Sequence, residues 1–380
     1  LHPVGPGYRR ESDKEKHPVR VGFLSYLVLN MHRGGLPIRV RSTLDALRCH
    51  GIDCDFVNPF TESLASYDLI HVFGAFHSNH LLVRAARNAD RPVVLSSVLF
   101  PDVSRWDGMV ANFVDRLFGR LTHWEWQTTY RQIRIALNEA DRIIVLGNAE
   151  RDLVHDVYAG DLAKVRIIPN AVAQPFFDAK PDSFRKRFAI TRPFVLCAAF
   201  LGDMKNQLTL VHALKGLDID LVLVGSVEKY GQAYLDRCLA DGGERVRYIG
   251  YIDHEDPLLP SAFAAAEVFV LPSKAEVSPT AALEALATGT PTVLTKYHSL
   301  DIRPDGRAFI ECDPYRERDI RNAVARALAA HAPAEECRRL VADCLWEDVV
   351  QRTTAVYDEC LREAETRRRG APSPGACGKA

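Results

Sequence analysis

Residues 267–296 read Glu-Val-Phe-Val-Leu-Pro-Ser-Lys-Ala-Glu-Val-Ser-Pro-Thr-Ala-Ala-Leu-Glu-Ala-Leu-Ala-Thr-Gly-Thr-Pro-Thr-Val-Leu-Thr-Lys. The apolar run Val268–Leu271 predicts a buried strand, and a polar loop follows it. A helix opens near Thr280 and stops at Gly289, where glycine tolerates the left-handed turn that ends helices; Pro291 then leads into another strand. Open α/β sheets of this kind bind ligands beyond the carboxyl ends of their strands. Glu276 falls in the loop and Glu284 one turn inside the helix, so two carboxylates with seven residues between them flank a helix N-terminus. The unpaired N–H groups and partial positive charge of a helix start suit a phosphate. Carboxylates repel phosphate and instead accept hydrogen bonds from hydroxyls beside it. A diphosphate flanked by two polyols, as in a nucleotide sugar, meets both demands.

The motif and its frame, Leu-Pro-Ser at 271–273 and Leu-Glu-Ala-Leu-Ala-Thr-Gly-Thr-Pro at 283–291, resemble the Glu-x7-Glu signature of retaining glycosyltransferases of the GT-B fold, especially their large fourth family. The resemblance implies that Glu276 holds the hydroxyls of the donor sugar and Glu284 the ribose. Where the family commonly has Gly after the first Glu, this chain has Val277, so phosphate contacts fall to Ser278, Pro279, Thr280 and Ala281, of which Pro279 offers no N–H. Phe194–Gln207 reads as a strand, a loop and a helix start, and the family commonly places an Arg and then a Lys there on the donor diphosphate. Lys205 matches the Lys and is taken with Glu276 as catalytic; Phe200 stands where the Arg aligns. A cation is needed because the leaving diphosphate gains negative charge as the glycosidic bond breaks. Arg33, Gly34 and Gly35, between the first strand and the first helix, are implied to cap the donor from the opposite domain, with Arg33 the candidate for the missing cation. The family often carries a His after the fourth strand; residues 94–102 contain none, which leaves Ser97, Asp102 and His77 as acceptor-side candidates. His71, inside an apolar strand, reads as a packing residue.

Apolar runs alternate with helical stretches along most of the chain: Val21–Val28, Cys54–Asn58, Leu69–Gly74, Val93–Ser97, Arg142–Gly147 and Val165–Pro169, then Phe194–Ala199, Leu221–Gly225, Val246–Gly250, Val268–Leu271, Thr292–Thr295 and Phe309–Glu311. Such alternation predicts an α/β chain of two doubly wound, Rossmann-like domains facing across a cleft. The expected layout is a flexible lead-in over 1–19, an acceptor-side domain over 20–175, a nucleotide-sugar domain over 193–345 and a disordered tail over 367–380. The resemblance adds that a last helix, about 346–366, returns to complete the first domain. At 380 residues the chain has room for two such cores.

A net charge of −1 argues against nucleic acid as a partner and against firm attachment to anionic membranes, leaving peripheral membrane contact only. No apolar run reaches the roughly 18 residues of a membrane span. Residues 1–19 lack the apolar core of a signal peptide, and nine scattered Cys without Cys-x-x-Cys spacing point to a reducing, cytoplasmic setting. Asp53-Cys54-Asp55 and Asp218-Ile219-Asp220 precede strands, at the edge opposite ligands, so they read as solvated strand starts and no metal or other cofactor is expected. Trp106, Trp124 and Trp126 lie among helical patterns and are expected to pack in a core or lid. The reading that unites these features is a metal-independent retaining glycosyltransferase that uses a nucleoside-diphosphate sugar, with a UDP-sugar expected. Its acceptor would be a glycan, a lipid-linked species or a small natural product. A non-catalytic nucleotide-sugar-binding or partner-activating subunit on the same scaffold is the alternative, and a sugar-nucleotide epimerase a third.

Overall fold

The apolar runs become twelve strands in two sheets, all paired in parallel, as befits strands joined by crossover helices. The structure, a computed structural model, describes residues 19–29, 35–100, 105–121, 127–227 and 231–370. The first sheet is built from β1 (Arg20–Leu24), β2 (Asp53–Phe56), β3 (Leu69–Phe73), β4 (Val93–Ser96), β5 (Arg142–Val145) and β6 (Val165–Ile167). Its helices are α1 (Gly35–Cys49), α2 (His80–Asn88), α3 (Arg105–Leu121), α4 (Thr129–Glu139) and α5 (Asn148–Asp156), and the strands lie in the order β2-β1-β3-β4-β5-β6. A short helix, α6 (Gln174–Phe177), then begins the connection to the second sheet.

The second sheet contains β7 (Phe194–Ala198), β8 (Asp220–Val224), β9 (Val246–Gly250), β10 (Val268–Leu271), β11 (Thr292–Thr295) and β12 (Phe309–Cys312), ordered β12-β11-β10-β7-β8-β9. Around it lie α7 (Asp182–Phe188), α8 (Gln207–Leu214), α9 (Gln232–Gly242), α10 (Leu258–Ala265), α11 (Thr280–Thr288), α12 (Glu317–Ala330) and α13 (Ala334–Arg339), and α14 (Trp346–Gly370) closes the chain. Every residue of β3, β10 and β11 is buried, which is why these strands read as unbroken apolar runs rather than as alternating ones. This is the two-domain, Rossmann-like GT-B architecture.

Helix α14 belongs to the first core. Its Val349, Val350, Val356, Tyr357 and Cys360 pack with residues of β1, β3 and α1. The Tyr357 hydroxyl lies 2.7 Å from His71 Nδ1, whose Nε2 lies 3.0 Å from Ser96 Oγ, so His71 is a packing residue bonded at both ring nitrogens. Burial holds the His71 pKa well below its ordinary value, with the Arg39 charge adding to the effect. Outside the core, Arg142 donates to Glu359 at 3.0 Å and also meets Glu363, while Arg166 donates to Glu359 at 2.7 Å.

Three expectations are corrected. Strand β1 ends at Leu24 instead of running to Val28: the Ser25 hydroxyl donates to Phe73 O at 2.8 Å, the chain turns with Leu29 N–H on Tyr26 O, and Leu27 and Val28 are exposed. Residues 367–370 are helical rather than part of a disordered tail, because Arg367 pairs with Asp141 at 2.7 Å and Arg368 with Asp90 at 3.0 Å. Trp106 is exposed on α3 instead of packed in a core or lid, since the inward face of that helix carries small and polar residues; Trp124 and Trp126 lie outside the described residues. Among the described residues no helix is long and apolar enough to cross a membrane, and no cysteine is in a disulfide.

Candidate active site

The loop between β10 and α11 is held from both sides by its own backbone. Asn206, in the left-handed region at φ 60° just before α8, donates through Nδ2 to Pro272 O at 3.1 Å and to Pro314 O at 2.8 Å. Lys274 N–H donates to Met204 O at 2.9 Å, Glu276 N–H to Tyr297 O at 2.9 Å, and Ser299 N–H to Val277 O at 2.7 Å. Val277 has no positive φ and is buried, so this loop runs without the glycine common at that position.

These clamps bring Glu276 against the loop before α8. Lys205 Nζ lies 2.5 Å from Glu276 Oε1, and the two side chains are only 18% and 9% exposed, so the pair attracts more strongly than it would in open water. The ring of Phe200 lies 5.3 Å from the same Nζ. An aromatic face, attractive to a cation, therefore occupies the position where the resemblance places an arginine. Pro279 precedes α11 and no side chain caps that helix, which leaves the amides of Thr280 and Ala281 without intrahelical partners. Gly289, at φ 89°, ends it.

Glu284 is 4% exposed and accepts a hydrogen bond from His254 Nε2 at 2.7 Å. That bond raises the His254 pKa, against the opposing effect of burial. Phe176 of α6 lies on the imidazole, with ring centroids 5.7 Å apart. Carboxylate, imidazole and phenyl thus form a stack in which Glu284 has one fixed oxygen and a second one to offer.

The first domain touches the second beside this site. Asn170, just past β6, donates through Nδ2 to Ser278 O at 2.8 Å and to Ser278 Oγ at 3.2 Å. Asp301 accepts from Asn148 N–H at 3.0 Å and from Asn148 Nδ2 at 2.9 Å, so a carboxylate of one domain caps the N-terminus of α5 in the other. A Cβ at Gly147 would lie 2.0 Å from Ser299 O, which explains why only glycine fits there. Buried His298 shapes the same loop: Nδ1 accepts from Leu300 N–H at 3.0 Å, Nε2 lies 3.1 Å from Glu311, and burial lowers its pKa.

Residues 192–330 match the family described as Glycosyl transferases group 1, and residues 8–171 match the Glycosyl transferase 4-like domain. The chain belongs to the GT-B glycosyltransferases of the family-four type. It is 28% identical to the D-inositol 3-phosphate glycosyltransferase of Paenarthrobacter aurescens over 59% of this chain and 58% of that protein. The match therefore spans under two thirds of that relative's length. Among solved structures, sucrose-phosphate synthase of Thermosynechococcus elongatus superposes with a TM-score of 0.71 at 19% identity, covering 91% of this chain and 100% of that one. Anabaena HepE, solved in complex with UDP, superposes with a TM-score of 0.67 at 16% identity over 90% of this chain and 100% of that one.

The acceptor-side candidates of this family-four glycosyltransferase are dispersed. Ser97 is fully buried and its hydroxyl donates to Glu150 at 2.6 Å, where Glu150 also receives Leu99 N–H at 2.8 Å and Leu146 N–H at 2.7 Å. Burial raises the Glu150 pKa while these donors lower it, and the group ties two loops together at the carboxyl edge of the sheet. His77 is exposed at φ 52° with its ring 4.9 Å from that of Tyr26. Gly35 opens α1 with nothing within 4 Å of an added Cβ, while Arg33, Gly34 and Asp102 lie outside the described residues. Asp218 and Asp220 pair with Arg192 at 2.7 and 3.2 Å at the amino end of β8, whereas Asp53-Cys54-Asp55 lies inside β2 rather than before it, with Asp55 paired to Arg48 at 2.9 Å.

Sequence reasoning missed His254, Asn170, Asp301 and Arg39. Among the described residues the buried Nη1 atom of Arg39 has no hydrogen-bond partner, burial lowers the Arg39 pKa to about 10, and the residue lines a cavity of about 20 Å³ with His71, Ser96 and Asn170. No local pattern marks any of the four; each acquires its role only from a neighbour distant in the chain.

Proposed function

We propose that this chain transfers a sugar, with retention of configuration, from a nucleoside-diphosphate sugar to a hydroxyl of a glycan, glycolipid or small natural-product acceptor, without a metal ion. A UDP-sugar is the proposed donor. The observation that carries this reading is the convergence of the Lys205–Glu276 pair and the Glu284–His254 pair around the uncapped N-terminus of α11.

In this reading Glu276 accepts hydrogen bonds from the sugar hydroxyls, and Glu284, steadied by His254, accepts from the ribose. The amides of Thr280 and Ala281 receive the diphosphate, and the Lys205 ammonium turns from Glu276 toward its oxygens. The acceptor oxygen forms a bond to the anomeric carbon on the face the nucleotide leaves. The carbon–oxygen bond to phosphate breaks with its electron pair going to the diphosphate, and a phosphate oxygen takes the acceptor proton. Lys205 acts most strongly as that charge develops. The contacts of Asn170 with Ser278 and of Asn148 with Asp301 hold the two domains together over the donor, which limits its loss to water. Gly34, Gly35 and Arg33 are proposed to close from above.

The second reading, a nucleotide-sugar-binding or partner-activating subunit, is favoured by Phe200, which leaves the diphosphate one cation short beside Lys205. Titration calorimetry with UDP-sugars, followed by assay of UDP release over a panel of acceptors, separates the two. Acceptor-dependent release that Glu276→Gln abolishes supports transfer. Tight binding with no release over the whole panel overturns it in favour of the subunit, and absence of binding to any nucleotide sugar overturns both.

A further inference from the structure

Each sheet reverses its strand order once. In the first, β2 lies on one side of β1 while β3, β4, β5 and β6 lie on the other; in the second, the reversal falls between β7 and β10. Open α/β sheets bind ligands at such reversals, outside the carboxyl ends of the two strands concerned. The candidate donor site obeys this rule, since Lys205 follows β7 and Glu276 follows β10. The corresponding crevice of the first sheet lies between the loops that leave β1 and β3. Asn148, Asn170, Ser278 and Asp301 each follow a strand at its carboxyl end, and their contacts turn the two carboxyl edges toward each other. Both crevices therefore open on one cleft.

Aromatic rings line the first crevice. The Tyr26 ring, after β1, lies 4.9 Å from that of His77 and 6.4 Å from that of Phe76, both after β3, and Phe76 meets His77 edge to face at 4.8 Å. The loop that presents them is clamped by buried Asn79, which donates through Nδ2 to Phe73 O and to Gly74 O, both at 2.9 Å. A Cβ at Gly74, where φ is 89°, would lie 3.3 Å from Cζ of Phe76, so the glycine leaves room for that ring to fold back. His77 and Ser78 stand at φ 52° and 62°, in the left-handed region where glycine would rest more easily. Backbone strain of this kind collects where side chains serve a ligand. His77 is exposed, and among the described residues neither its imidazole nor the Tyr26 hydroxyl has a hydrogen-bond partner.

We propose that this cluster is the acceptor subsite and that it takes the apolar face of an uncharged pyranose ring, so that the acceptor is a neutral sugar rather than a sugar phosphate. This rests on the transferase reading given above. A pyranose offers a face of C–H groups that packs on an aromatic ring, and a rim of hydroxyls for the Tyr26 hydroxyl and the His77 nitrogens. Neither residues 25–29 nor residues 74–79 include an acid, a lysine or an arginine. The donor crevice, by contrast, sets Lys205 beside the N-terminus of α11, as a diphosphate requires. Arg39 does not supply the missing charge, because the cavity it lines, of about 20 Å³, has room for a water and none for a phosphate.

The test is saturation-transfer NMR of the full chain with the methyl α-glycosides of glucose, mannose and galactose, each set against its sugar 6-phosphate, in the absence and presence of UDP. At least one methyl glycoside is expected to receive saturation, most strongly at the C–H groups of one face, and to bind no more weakly than its phosphate. Tyr26→Leu and His77→Gly should each weaken that binding at least about fivefold and leave the affinity for UDP in calorimetry unchanged. His77→Gly places glycine at a backbone angle that favours it, so its unfolding temperature should not fall and loss of sugar binding cannot come from loss of the fold. The inference is overturned if no methyl glycoside binds, if only the phosphates bind, or if both variants bind like wild type. Any of these results in a chain that still binds UDP leaves the transferase reading standing. Glycoside binding that both variants weaken, in a chain that binds no nucleotide sugar, keeps the cluster as a sugar site and overturns that reading instead.

Discussion

Gly147→Ala isolates the contact that holds the two domains together. The backbone there is extended, at φ −175°, so alanine brings no conformational strain and the effect is purely steric. Its methyl would lie 2.0 Å from Ser299 O, more than about 1 Å inside an ordinary carbon–oxygen contact. The two backbones must separate by that amount, and the 3.0 and 2.9 Å bonds from Asn148 to Asp301 then stretch past hydrogen-bonding range. Loss of the carboxylate cap on α5 costs about 1 kcal/mol, and loss of the neighbouring bond from Asn170 to Ser278 about 1 kcal/mol more. A total of about 2 kcal/mol shifts the equilibrium toward separated domains about 30-fold. Small-angle scattering should therefore show a larger radius of gyration for Gly147→Ala, and calorimetry a weaker affinity for UDP by up to the same factor. Asp301→Ala, which removes the cap without the clash, should show about a fivefold effect. If scattering and UDP affinity of Gly147→Ala both match the wild type, the interdomain contact does not control closure and the reasoning fails.

Lys205→Met and Glu276→Gln, singly and together, form a cycle whose coupling in urea unfolding should be about 2 kcal/mol, because the pair is largely buried; additive effects would show that the 2.5 Å contact carries no energy of its own. Lys205→Met should in addition slow turnover about 100- to 1,000-fold, read as UDP release. The raised His254 pKa gives its bond to Glu284 a defined pH window. Its contribution is fully present below the unfolded-state value of about 6.5 and is lost as pH rises through the higher folded-state value. The difference in unfolding free energy between wild type and His254→Ala should accordingly shrink as pH rises above neutrality, and a difference constant with pH refutes the assignment. Arg142→Ala, which takes the arginine from Glu363 and leaves Glu359 to Arg166 alone, should lower the melting temperature by about 2–4 °C in calorimetry, whereas a shift within error would mean α14 is held without this ion pair.

The central strands β3, β4, β5, β10 and β11 were legible because they are buried on both faces, so burial writes itself into the sequence as a largely apolar run. All twelve runs picked out in the sequence correspond to strands; several overran by a residue or two, and the first overran furthest. Its overrun has a specific cause: Leu27 and Val28 are apolar yet exposed, and the hydroxyl of Ser25 turns the chain away before them. The start of α11 near Thr280 and its end at Gly289 were equally readable, since a helix stop is a local demand on one residue's backbone. The end of α14 was not, because Arg367 and Arg368 look like a solvated basic tail until Asp141 and Asp90 are brought beside them by the fold.

The same division separates the two halves of the candidate site. Glu276 and Glu284 could be proposed because their roles follow from position relative to one helix N-terminus. Lys205 could be added from the neighbouring strand and loop, and the structure brings its ammonium to the first of those carboxylates. The partner of the second was invisible. His254 follows β9 in a loop, 30 residues before Glu284, and no periodicity links them; only the packing of α6 through Phe176 fixes the ring where it can donate. Ser97 shows the converse: a hydroxyl at the right strand end looked free for a substrate, yet it is drawn inward by a buried carboxylate that lies 53 residues away. A carboxylate without solvent takes whatever donors its neighbourhood supplies, and Glu150 takes Ser97, Leu99 and Leu146 together. If the first domain receives the acceptor, as proposed, its recognition has to be sought among groups that the core does not already satisfy. Arg39 is one such group, with a buried Nη1 that has no hydrogen-bond partner among the described residues, beside Asn170 and the domain boundary.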